Sequence, residues 1–294
     1  MILIDFNQIV ISNIAAQNLT DMDVIRHQIL NSIRMYNVRH RKEYGMMVVC
    51  ADSRNVWRYG EYKFYKHQRK VDRAAREERA DKSAVVWTDV YDLMDEVLQD
   101  IRENFPWKVV KVDGCEGDDI IAALSRRTQD FGKYEPVMII SSDHDFKQLQ
   151  KFENVKQWSP IQKKVVKEKN ALEYAFEHVC RGDKGDGIPN IKSNDDVFAI
   201  EGGRQTPIKK TDIEYWSNNK TDLQNVMGDE VYRNYQRNSK LIDLEQIPEA
   251  IYNSIIETYD NHKPAHKMKV MNYLVKKRLR NLVECTEEFY NDKG

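Results

Sequence analysis

Short apolar runs rich in β-branched residues alternate, along the first half of the chain, with longer segments whose apolar residues recur at helical spacing. The short runs predict four buried strands, at residues 2–4, 46–50, 109–112 and 137–141. The longer segments predict amphipathic helices, one of which opens with a capping box formed by Thr20 and Asp23. Strands separated by helix-length stretches predict an α/β fold, in which a mostly parallel central sheet is flanked by helices and joined by right-handed crossovers.

Helical spacing marks further segments between and after these strands. Apolar positions between residues 90 and 101 predict a helix that ends near Pro106, and residues 114–127 predict a turn followed by a helix. A helical stretch is also predicted from residue 145 onward.

The second half of the chain has a different pattern. Beyond about residue 170 the spacing is helical, with glycine-containing loops at residues 182–190 and 202–206. A C-terminal stripe at helical spacing predicts core packing, and its members are Met271, Leu274, Val275, Leu279, Leu282 and Val283. The change of pattern predicts an α/β core at residues 1–185 and a mainly helical region at residues 186–294.

Composition excludes several classes of protein. With 41% hydrophobic residues among 294, the chain has enough apolar material for a core, which excludes wholesale disorder. A mean hydropathy of −0.71, without an apolar run of about 18 residues, argues against a membrane span, and the N-terminus lacks the basic start of a signal peptide. The four cysteines form no C-x-x-C pair, so we expect neither a zinc site nor a disulfide framework, but a reduced, cytoplasmic protein.

Basic charge is concentrated in one segment, although the net charge of the chain is only −1. Residues 53–83 carry ten Lys or Arg and five Asp or Glu. Aromatic and basic side chains interleave in its first part, namely Trp57, Tyr59, Tyr62, Phe64 and Tyr65 with Arg58, Lys63, Lys66, Arg69 and Lys70. Rings that stack on bases beside cations that meet phosphates are typical of single-stranded nucleic-acid binding, whereas core packing would account for two or three of the rings.

Acidic residues follow the predicted strands at the edge where an open α/β sheet binds its ligands. They are Asp5, Asp52, Glu116 with Asp118 and Asp119, and Asp143 with Asp145; Asp183 and Asp186 add a pair in a glycine-rich loop. So many carboxylates in one place repel one another unless cations neutralise them, and Mg²⁺ and Mn²⁺ prefer oxygen ligands. The pattern predicts a site for two divalent ions. The alternative is that single residues, Asp119 above all, cap helices; His144 is expected to be exposed.

Together these motifs resemble the flap endonuclease/5′ nuclease superfamily, and within it the ribonuclease H branch of T-even bacteriophages. The matching stretches occur in the same order over about residues 1–190, with a weaker likeness from there to the C-terminus. They are Leu3–Phe6, Val49–Asp52, Trp57-Arg58, Tyr65-Lys66 with Arg69, Glu116–Asp119, Ile139–Phe146, Val155–Pro160 and Gly182–Asp186.

The resemblance implies a role for each matching side chain. It implies that two Mg²⁺ ions, for which Mn²⁺ can substitute, lie among Asp5, Asp52, Glu116, Asp118, Asp143, Asp145, Asp183 and Asp186. Lys66 and Arg69, at the base of a helical arch over residues 53–90, would contact the scissile phosphate and act in catalysis with Asp118 and Asp143. Nucleic acid would contact Arg58, Lys63, Tyr65, Lys66, Arg69, Lys70, Lys184 and Lys192.

The stretch after Asp186 resembles the helix–three-turn–helix that grips duplex backbone in this superfamily. Gly187, Ile188 and Pro189 fit that motif, but Asn190 replaces the usual glycine and Lys192-Ser-Asn-Asp follows. This departure weakens the expectation of the monovalent ion that cellular relatives hold there.

The resemblance implies a Mg²⁺-dependent 5′→3′ exonuclease and flap endonuclease with ribonuclease H activity, which removes RNA primers during DNA replication. Its expected substrates are RNA–DNA hybrids and duplex DNA with a 5′ end or flap. A single-stranded DNA-binding protein and a sliding clamp are candidate partners of a monomeric enzyme, located in the host cytoplasm if it is viral. Two alternatives stay open at this point, a PIN-type ribonuclease of related fold and a non-catalytic junction-binding protein.

Overall fold

The computed structural model describes residues 1–17, 19–69, 71 and 86–290. The chain forms two compact units, each assembled from separate stretches of sequence. The first, here called the sheet unit, comprises Met1–Arg54, Lys82–Lys167 and Glu249–Gly294; the second, the helical unit, comprises Asn55–Asp81 and Glu168–Pro248. The boundary predicted from the sequence divides the chain at one point, residue 185, whereas each unit of the structure combines separate stretches. The two domains stay a prediction.

The sheet unit is built on a six-stranded sheet with the order β3-β2-β1-β4-β5-β6. All neighbouring strands are parallel except β5 and β6, which form an antiparallel hairpin at one edge. The strands are β1 (Ile2–Asp5), β2 (Met47–Cys50), β3 (Lys108–Val110), β4 (Val137–Ile140), β5 (Val155–Ser159) and β6 (Lys164–Val166). Strands β1, β2 and β4 are fully buried, as expected for parallel strands covered on both faces.

Helices surround this sheet within the same unit. They are α1 (Phe6–Gln17), α2 (Met22–Tyr44), α4 (Trp87–Asn104), α5 (Gly117–Arg127), α10 (Glu249–Asn261), α11 (Met268–Lys276) and α12 (Arg280–Val283). Short 3₁₀ helices occupy Asp130–Gly132, Asp145–Lys151 and Thr286–Phe289. The apolar residues that predict α4 face the core: Val90, Leu93, Met94, Val97, Leu98 and Ile101 are all buried.

The structure confirms the predicted α/β class with its mostly parallel sheet and mainly helical C-terminal part, and it corrects several details. Helix α2 is capped by Asp21 rather than Thr20, because the Asp21 carboxylate accepts hydrogen bonds from the N–H groups of Asp23 (2.8 Å) and Val24 (3.0 Å). The stretch from Asp145 is a 3₁₀ helix. Helix α1 and strands β5 and β6 were not predicted from the pattern, since their apolar residues lack a clear period.

The C-terminal apolar stripe is only partly core. Leu274, Leu279 and Leu282 are buried, but Met271 and Val275 are 43% and 57% exposed. The prediction was wrong for these two because the buried face of α11 is formed by Val270, Tyr273 and Leu274, and Met271 and Val275 lie on the neighbouring face of the same helix. No helix among the described residues is long and apolar enough to cross a membrane.

The helical unit contains no strand among its described residues. Its helices are α3 (Arg58–Glu61), α6 (Ala171–Arg181), α7 (Lys210–Asn218), α8 (Leu223–Met227) and α9 (Asp229–Ile242), with a 3₁₀ helix at Lys220–Asp222. Between α6 and α7 the chain runs through turns, the order that the helix–three-turn–helix motif predicts. Residues 70 and 72–85 of the predicted arch, Lys70 among them, lie outside the described residues.

Candidate metal centre and nucleic-acid interface

The acidic residues of the sheet unit lie at the topological switch point of the sheet. From β1 the chain builds outward through β2 and β3 on one side, and then β4 and β5 extend the sheet on the other. The carboxyl ends of adjacent parallel strands open a crevice at such a point, where ligands bind. Asp5 is the last residue of β1, Asp52 follows β2 by two residues, and Asp143 follows β4 by three. We call these residues, with Glu116, Asp118 and Asp145, the acidic edge.

Asp5 is held firmly inside the acidic edge. Its side chain is buried, with 8% of the residue exposed. One carboxylate oxygen accepts a hydrogen bond from the Ser141 hydroxyl (2.9 Å) and the other accepts one from the N–H of Gln8 (3.0 Å). Ser141 lies beside Asp5 because Ile4 pairs with Ile140 across the two strands. Both contacts fix the orientation of the carboxylate without adding a positive charge.

Asp52 is positioned by the first turn of α5. The N–H of Gly117 donates to Oδ1 of Asp52 at 2.7 Å. A Cβ atom at Gly117 would lie 3.2 Å from that oxygen and 3.5 Å from the Cys50 carbonyl oxygen, so a side chain there would crowd the carboxylate. The glycine between Glu116 and Asp118 therefore lets helix α5 approach the end of β2.

The cluster that opens α5 divides between capping and the acidic edge. Asp119 is fully buried, and its carboxylate accepts the N–H of Glu116 at 3.0 Å in a capping box. The capping interpretation therefore applies to Asp119. Asp118 lies close enough to Asp143, Asp5, Glu116 and Asp52 for their charges to act on its carboxylate.

The loop after β4 is organised around its own polar groups. Ser141 Oγ accepts the N–H of Asp143 (3.0 Å), and Oδ1 of Asp143 accepts the N–H of Asp145 (2.9 Å). The buried Gln157 on β5 donates to the backbone carbonyls of Ser141 (3.0 Å) and Asp143 (2.6 Å). Asp143 and His144 are exposed at the loop tip, as expected for the histidine. Neither Ser141 nor Gln157 was singled out from the sequence, because a neutral polar residue in a strand carries no distinctive signal.

Burial and the charges of neighbouring carboxylates raise the pKa values of Asp5 and Asp118. Burial, with the charges of Asp52 and Asp143, raises the pKa of Asp5 to about 7, against the hydrogen bonds from Gln8 and Ser141. Burial also raises the pKa of Asp118, and the charges of Asp143, Asp5, Glu116 and Asp52 add to it. Ionised carboxylates are thus unfavourable here in the absence of a cation, and a hard divalent ion fits this set of oxygen donors.

The helical unit places its acidic pair in a tight turn after α6. The Oδ1 atom of Asp183 accepts the N–H of Asp186 (3.1 Å), and the Asp183 carbonyl accepts the N–H of Ile188 (2.7 Å). Gly182 has φ of +69°, and a Cβ atom there would lie 2.4 Å from the Ile188 carbonyl oxygen. Only glycine allows this approach, which closes the turn around the two carboxylates.

Asp186 is surrounded by groups that stabilise its negative charge. Its carboxylate lies 2.5 Å from Nη2 of Arg69 and 3.6 Å from Nζ of Lys66, and it accepts a hydrogen bond from the Tyr65 hydroxyl (3.0 Å). The Lys66 N–H also donates to the Asp186 carbonyl (2.8 Å). Lys66 adopts φ of +53°, which is uncommon for a residue with a Cβ atom and is often found at functional positions. The structure thus brings Lys66, Arg69 and Asp186 together.

The other residues predicted to contact nucleic acid fall into three groups. Lys63 and Lys184 are exposed, whereas Lys192 is paired with Asp212 at 2.6 Å. Arg58 is 3% exposed and donates from Nε to the Leu241 carbonyl (2.8 Å), and Tyr65 is 3% exposed. Burial removes the basis for direct contact between these last two side chains and nucleic acid. Core packing thus accounts for Tyr65, as it does for the buried Tyr62.

Two family models together cover nearly the whole chain. The model described as the 5′-3′ exonuclease N-terminal resolvase-like domain matches residues 1–177, and the model described as the C-terminal part of T4 RNase H matches residues 173–289. The chain is 33% identical to the ribonuclease H of Enterobacteria phage T4 over 299 aligned residues, which cover 98% of this chain and 95% of the relative.

Two solved structures from bacteriophage T5 share the fold. The T5 5′-exonuclease with bound zinc ions is 14% identical with a TM-score of 0.57, over 89% of this chain and 98% of that one. The T5 flap endonuclease in a complex with DNA and metal ions is 13% identical with a TM-score of 0.59, over 88% and 99%. These matches confirm the fold, and those with the family models and the T4 enzyme confirm the predicted resemblance. The chain therefore belongs to the 5′–3′ exonuclease family of the T4 ribonuclease H type, and it is a nuclease.

Proposed function

We propose that this chain is a Mg²⁺-dependent 5′→3′ exonuclease and flap endonuclease that removes RNA primers from DNA. The observation that carries the proposal is the acidic edge, where burial and mutual repulsion raise the pKa values of Asp5 and Asp118. Such an arrangement costs stability in the metal-free protein, and it is reasonable only if a divalent cation completes it. The T4 relative, named a ribonuclease H, supports the choice of RNA–DNA hybrids as substrate. The T5 flap endonuclease complex with DNA supports flapped and 5′-ended duplexes.

The carboxylates of the acidic edge fit hard divalent cations, and we infer that two Mg²⁺ ions bind. Asp5, Asp52, Glu116, Asp118, Asp143 and Asp145 would hold ions at the sheet edge, and Asp183 and Asp186 would contribute from the helical unit, as the resemblance implies. When bound, such ions activate water and stabilise the charge that develops on the phosphate.

Side chains of the protein orient the proposed metal ligands and contact the phosphate during hydrolysis. Hydrolysis adds water to phosphorus, breaks the opposite phosphate ester bond and returns a proton to the departing oxygen. Ser141 and Gln8 hold the Asp5 carboxylate in one orientation, and Gly117 does the same for Asp52. Lys66 and Arg69 offer N–H donors to the phosphate. Before substrate binds, the Asp186 carboxylate pairs with both side chains and holds them in place.

A cleavage assay with paired substrates tests the proposal. A 5′-labelled RNA–DNA hybrid, a 5′-flap duplex and the matching single strands would be incubated with Mg²⁺, Mn²⁺ or EDTA. We expect short labelled products from the hybrid and the flap with either metal and none with EDTA. Preferential cleavage of the single-stranded RNA would favour the PIN-type ribonuclease instead, and binding of the flap without products under any metal condition would favour the non-catalytic junction-binding protein.

A further inference from the structure

The turn that follows Asp186 is fastened to helix α9 by side-chain amides and one arginine. Here "the turn" means residues 187–195. The Pro189 carbonyl accepts hydrogen bonds from Nδ2 of Asn238 (2.8 Å) and Nη2 of Arg237 (3.1 Å). Nδ2 of Asn234 donates to the carbonyls of Ile191 (3.0 Å) and Ser193 (3.3 Å). Three backbone carbonyls of the turn therefore accept hydrogen bonds from side chains of α9, and that of Pro189 accepts two.

These donors are buried within the helical unit. Asn234 is 2% exposed, Asn238 is fully buried, and the Arg237 side chain is 12% exposed. Nε of Arg237 donates to Oδ1 of Asn238 (2.9 Å), and its Nη1 pairs closely with Asp195 of the turn. The guanidinium is thus a fixed positive charge beside the carbonyls of the turn, and Asp195 balances it.

Asn190 completes the network from within the turn. Its side-chain oxygen accepts from the N–H of Lys192 (3.0 Å) and the hydroxyl of Ser193 (3.0 Å), while its Nδ2 donates to the Thr206 carbonyl (2.9 Å). A glycine at this position makes none of these contacts. The departure from the usual glycine therefore accompanies a turn that is held by side chains.

This arrangement does not fit the monovalent ion of cellular relatives. Such an ion needs several carbonyl oxygens directed at it, whereas those of Pro189, Ile191 and Ser193 accept protein hydrogen bonds. The Arg237 guanidinium, which donates to the Pro189 carbonyl, also occupies the space that a cation bound to that oxygen would need.

We propose that Arg237, with Asn234 and Asn238, takes the place of that cation, and that the turn binds duplex backbone without a monovalent ion. Arg237 is a positioning residue in this scheme, since it shapes the turn and does not touch the reacting phosphate. The inference rests on the proposed function for the contact between the turn and DNA.

Binding of a 5′-flap duplex in EDTA, which halts hydrolysis, tests the inference. Affinity would be measured in KCl, NaCl and N-methyl-D-glucamine chloride at equal ionic strength for the wild type, Arg237→Met and Arg233→Met. Arg233 is the matched control because it pairs with the same Asp195 (3.0 Å) but its side chain is 61% exposed. We expect the wild type to bind equally well, within about twofold, in all three salts. Arg237→Met should bind about tenfold more weakly in N-methyl-D-glucamine chloride. Its affinity should recover severalfold in KCl, because the substitution removes the guanidinium and K⁺ can take its place. Arg233→Met should resemble the wild type.

Three results would overturn the inference. They are a wild-type preference for K⁺ of fivefold or more, Arg237→Met binding equal to that of Arg233→Met, and weakened Arg237→Met binding that K⁺ does not improve. If Arg237→Met does not fold, Arg237→Lys replaces it, and a wild-type melting temperature that rises in K⁺ over N-methyl-D-glucamine would also overturn the proposal. That melting comparison involves no DNA, so it separates this inference from the proposed function, which fails if no substrate is bound or cleaved.

Discussion

The acidic edge of the sheet unit and the Asp183–Asp186 pair of the helical unit differ in the groups that surround their carboxylates. In the helical unit, Arg69 and Lys66 approach the Asp186 carboxylate and the Tyr65 hydroxyl donates to it. In the sheet unit, Asp5 receives hydrogen bonds from a hydroxyl and a backbone N–H, and the charges acting on Asp118 are those of four other carboxylates.

The difference suggests two ways in which one protein can balance clustered carboxylates. Asp186 has Lys66 and Arg69 beside it in the fold, so part of its charge is balanced before any metal binds. In the acidic edge, the proposed function assigns this role to a divalent cation from solution. Removing a charge should therefore have opposite consequences for the metal-free protein in the two places, and the predictions below test this contrast.

The largest effect is expected for Asp118→Asn, which removes one charge from the centre of the acidic edge. The amide keeps the size of the side chain but is a poorer ligand for a hard cation, so cleavage of the flap substrate should fall by about 10³-fold or more. Binding of the same duplex should be retained or tightened, because the edge repels phosphate less.

The control for this variant is Asp113→Asn, which changes an exposed carboxylate of the same unit. It should cleave like the wild type. Near-normal turnover of Asp118→Asn at saturating Mg²⁺ would remove Asp118 from the proposed ligands.

Lys66→Ala should have the next largest effect, because it removes one of the two basic side chains beside Asp186. Alanine keeps the Cβ atom, so the backbone at φ of +53° is no more strained than in the wild type. A cation that stabilises charge developing on the phosphate contributes about 10²–10³-fold to the rate, and single-turnover cleavage at saturating enzyme should fall by that amount. Lys63→Ala, at an exposed lysine of the same segment, should weaken binding only slightly. Equal small losses in both variants would mean that the segment only attracts nucleic acid.

Asp186→Asn should have a smaller effect, which metal can correct in part. The variant weakens one proposed metal contact and frees Lys66 and Arg69 from their shared partner. We expect metal affinity to fall by about 10–100-fold, and turnover to recover partly as Mg²⁺ or Mn²⁺ is raised. Asp229→Asn, at a carboxylate that accepts a hydrogen bond from Gln224 (3.2 Å), is the control within the same unit. A folded Asp186→Asn protein that no metal concentration improves would contradict a role for Asp186 in metal binding.

The sequence predicts the acidic edge well because its chemistry follows directly from local pattern. Each carboxylate comes at the end of a short apolar run, and parallel strands bring such ends to one edge. The ambiguity at Glu116–Asp119 was also visible, since capping and metal binding call for the same residue types. The structure assigns Asp119 to the cap through its contact with the Glu116 N–H.

The sequence predicts the basic segment less well because burial there depends on distant residues. Arg58 is fixed by the Leu241 carbonyl, which lies 183 positions away, and Tyr65 is buried in a cluster with Val179 and Ile188. No local spacing reports such contacts. The same limit applies to Arg237, whose importance follows from the Pro189 carbonyl and Asp195 and from nothing in the helical pattern of α9.

The smallest effect, and the most direct test of the contrast, is a change in stability caused by Asp5→Asn. Burial and the charges of Asp52 and Asp143 raise the pKa of Asp5 from an ordinary value of 3.8 to about 7. The folded protein therefore holds a proton that the unfolded chain has lost, so the wild type without metal loses stability as the pH rises from about 4 through about 7. Asparagine cannot ionise, and its amide can still accept from Gln8 and donate to Ser141.

We expect the melting temperature of Asp5→Asn in EDTA to exceed that of the wild type by about 3–6 °C at pH 8, and by less at pH 5. Mg²⁺ should stabilise the wild type more than the variant, which lacks one proposed ligand. The difference between the two melting temperatures should therefore shrink or change sign when metal is added. Asp113→Asn, at an exposed carboxylate of the same unit outside the acidic edge, is the control and should melt like the wild type in EDTA. If Asp5→Asn is instead less stable than the wild type in EDTA at pH 8, the carboxylates of the sheet unit are balanced from within the fold like Asp186, and the contrast between the two groups is lost.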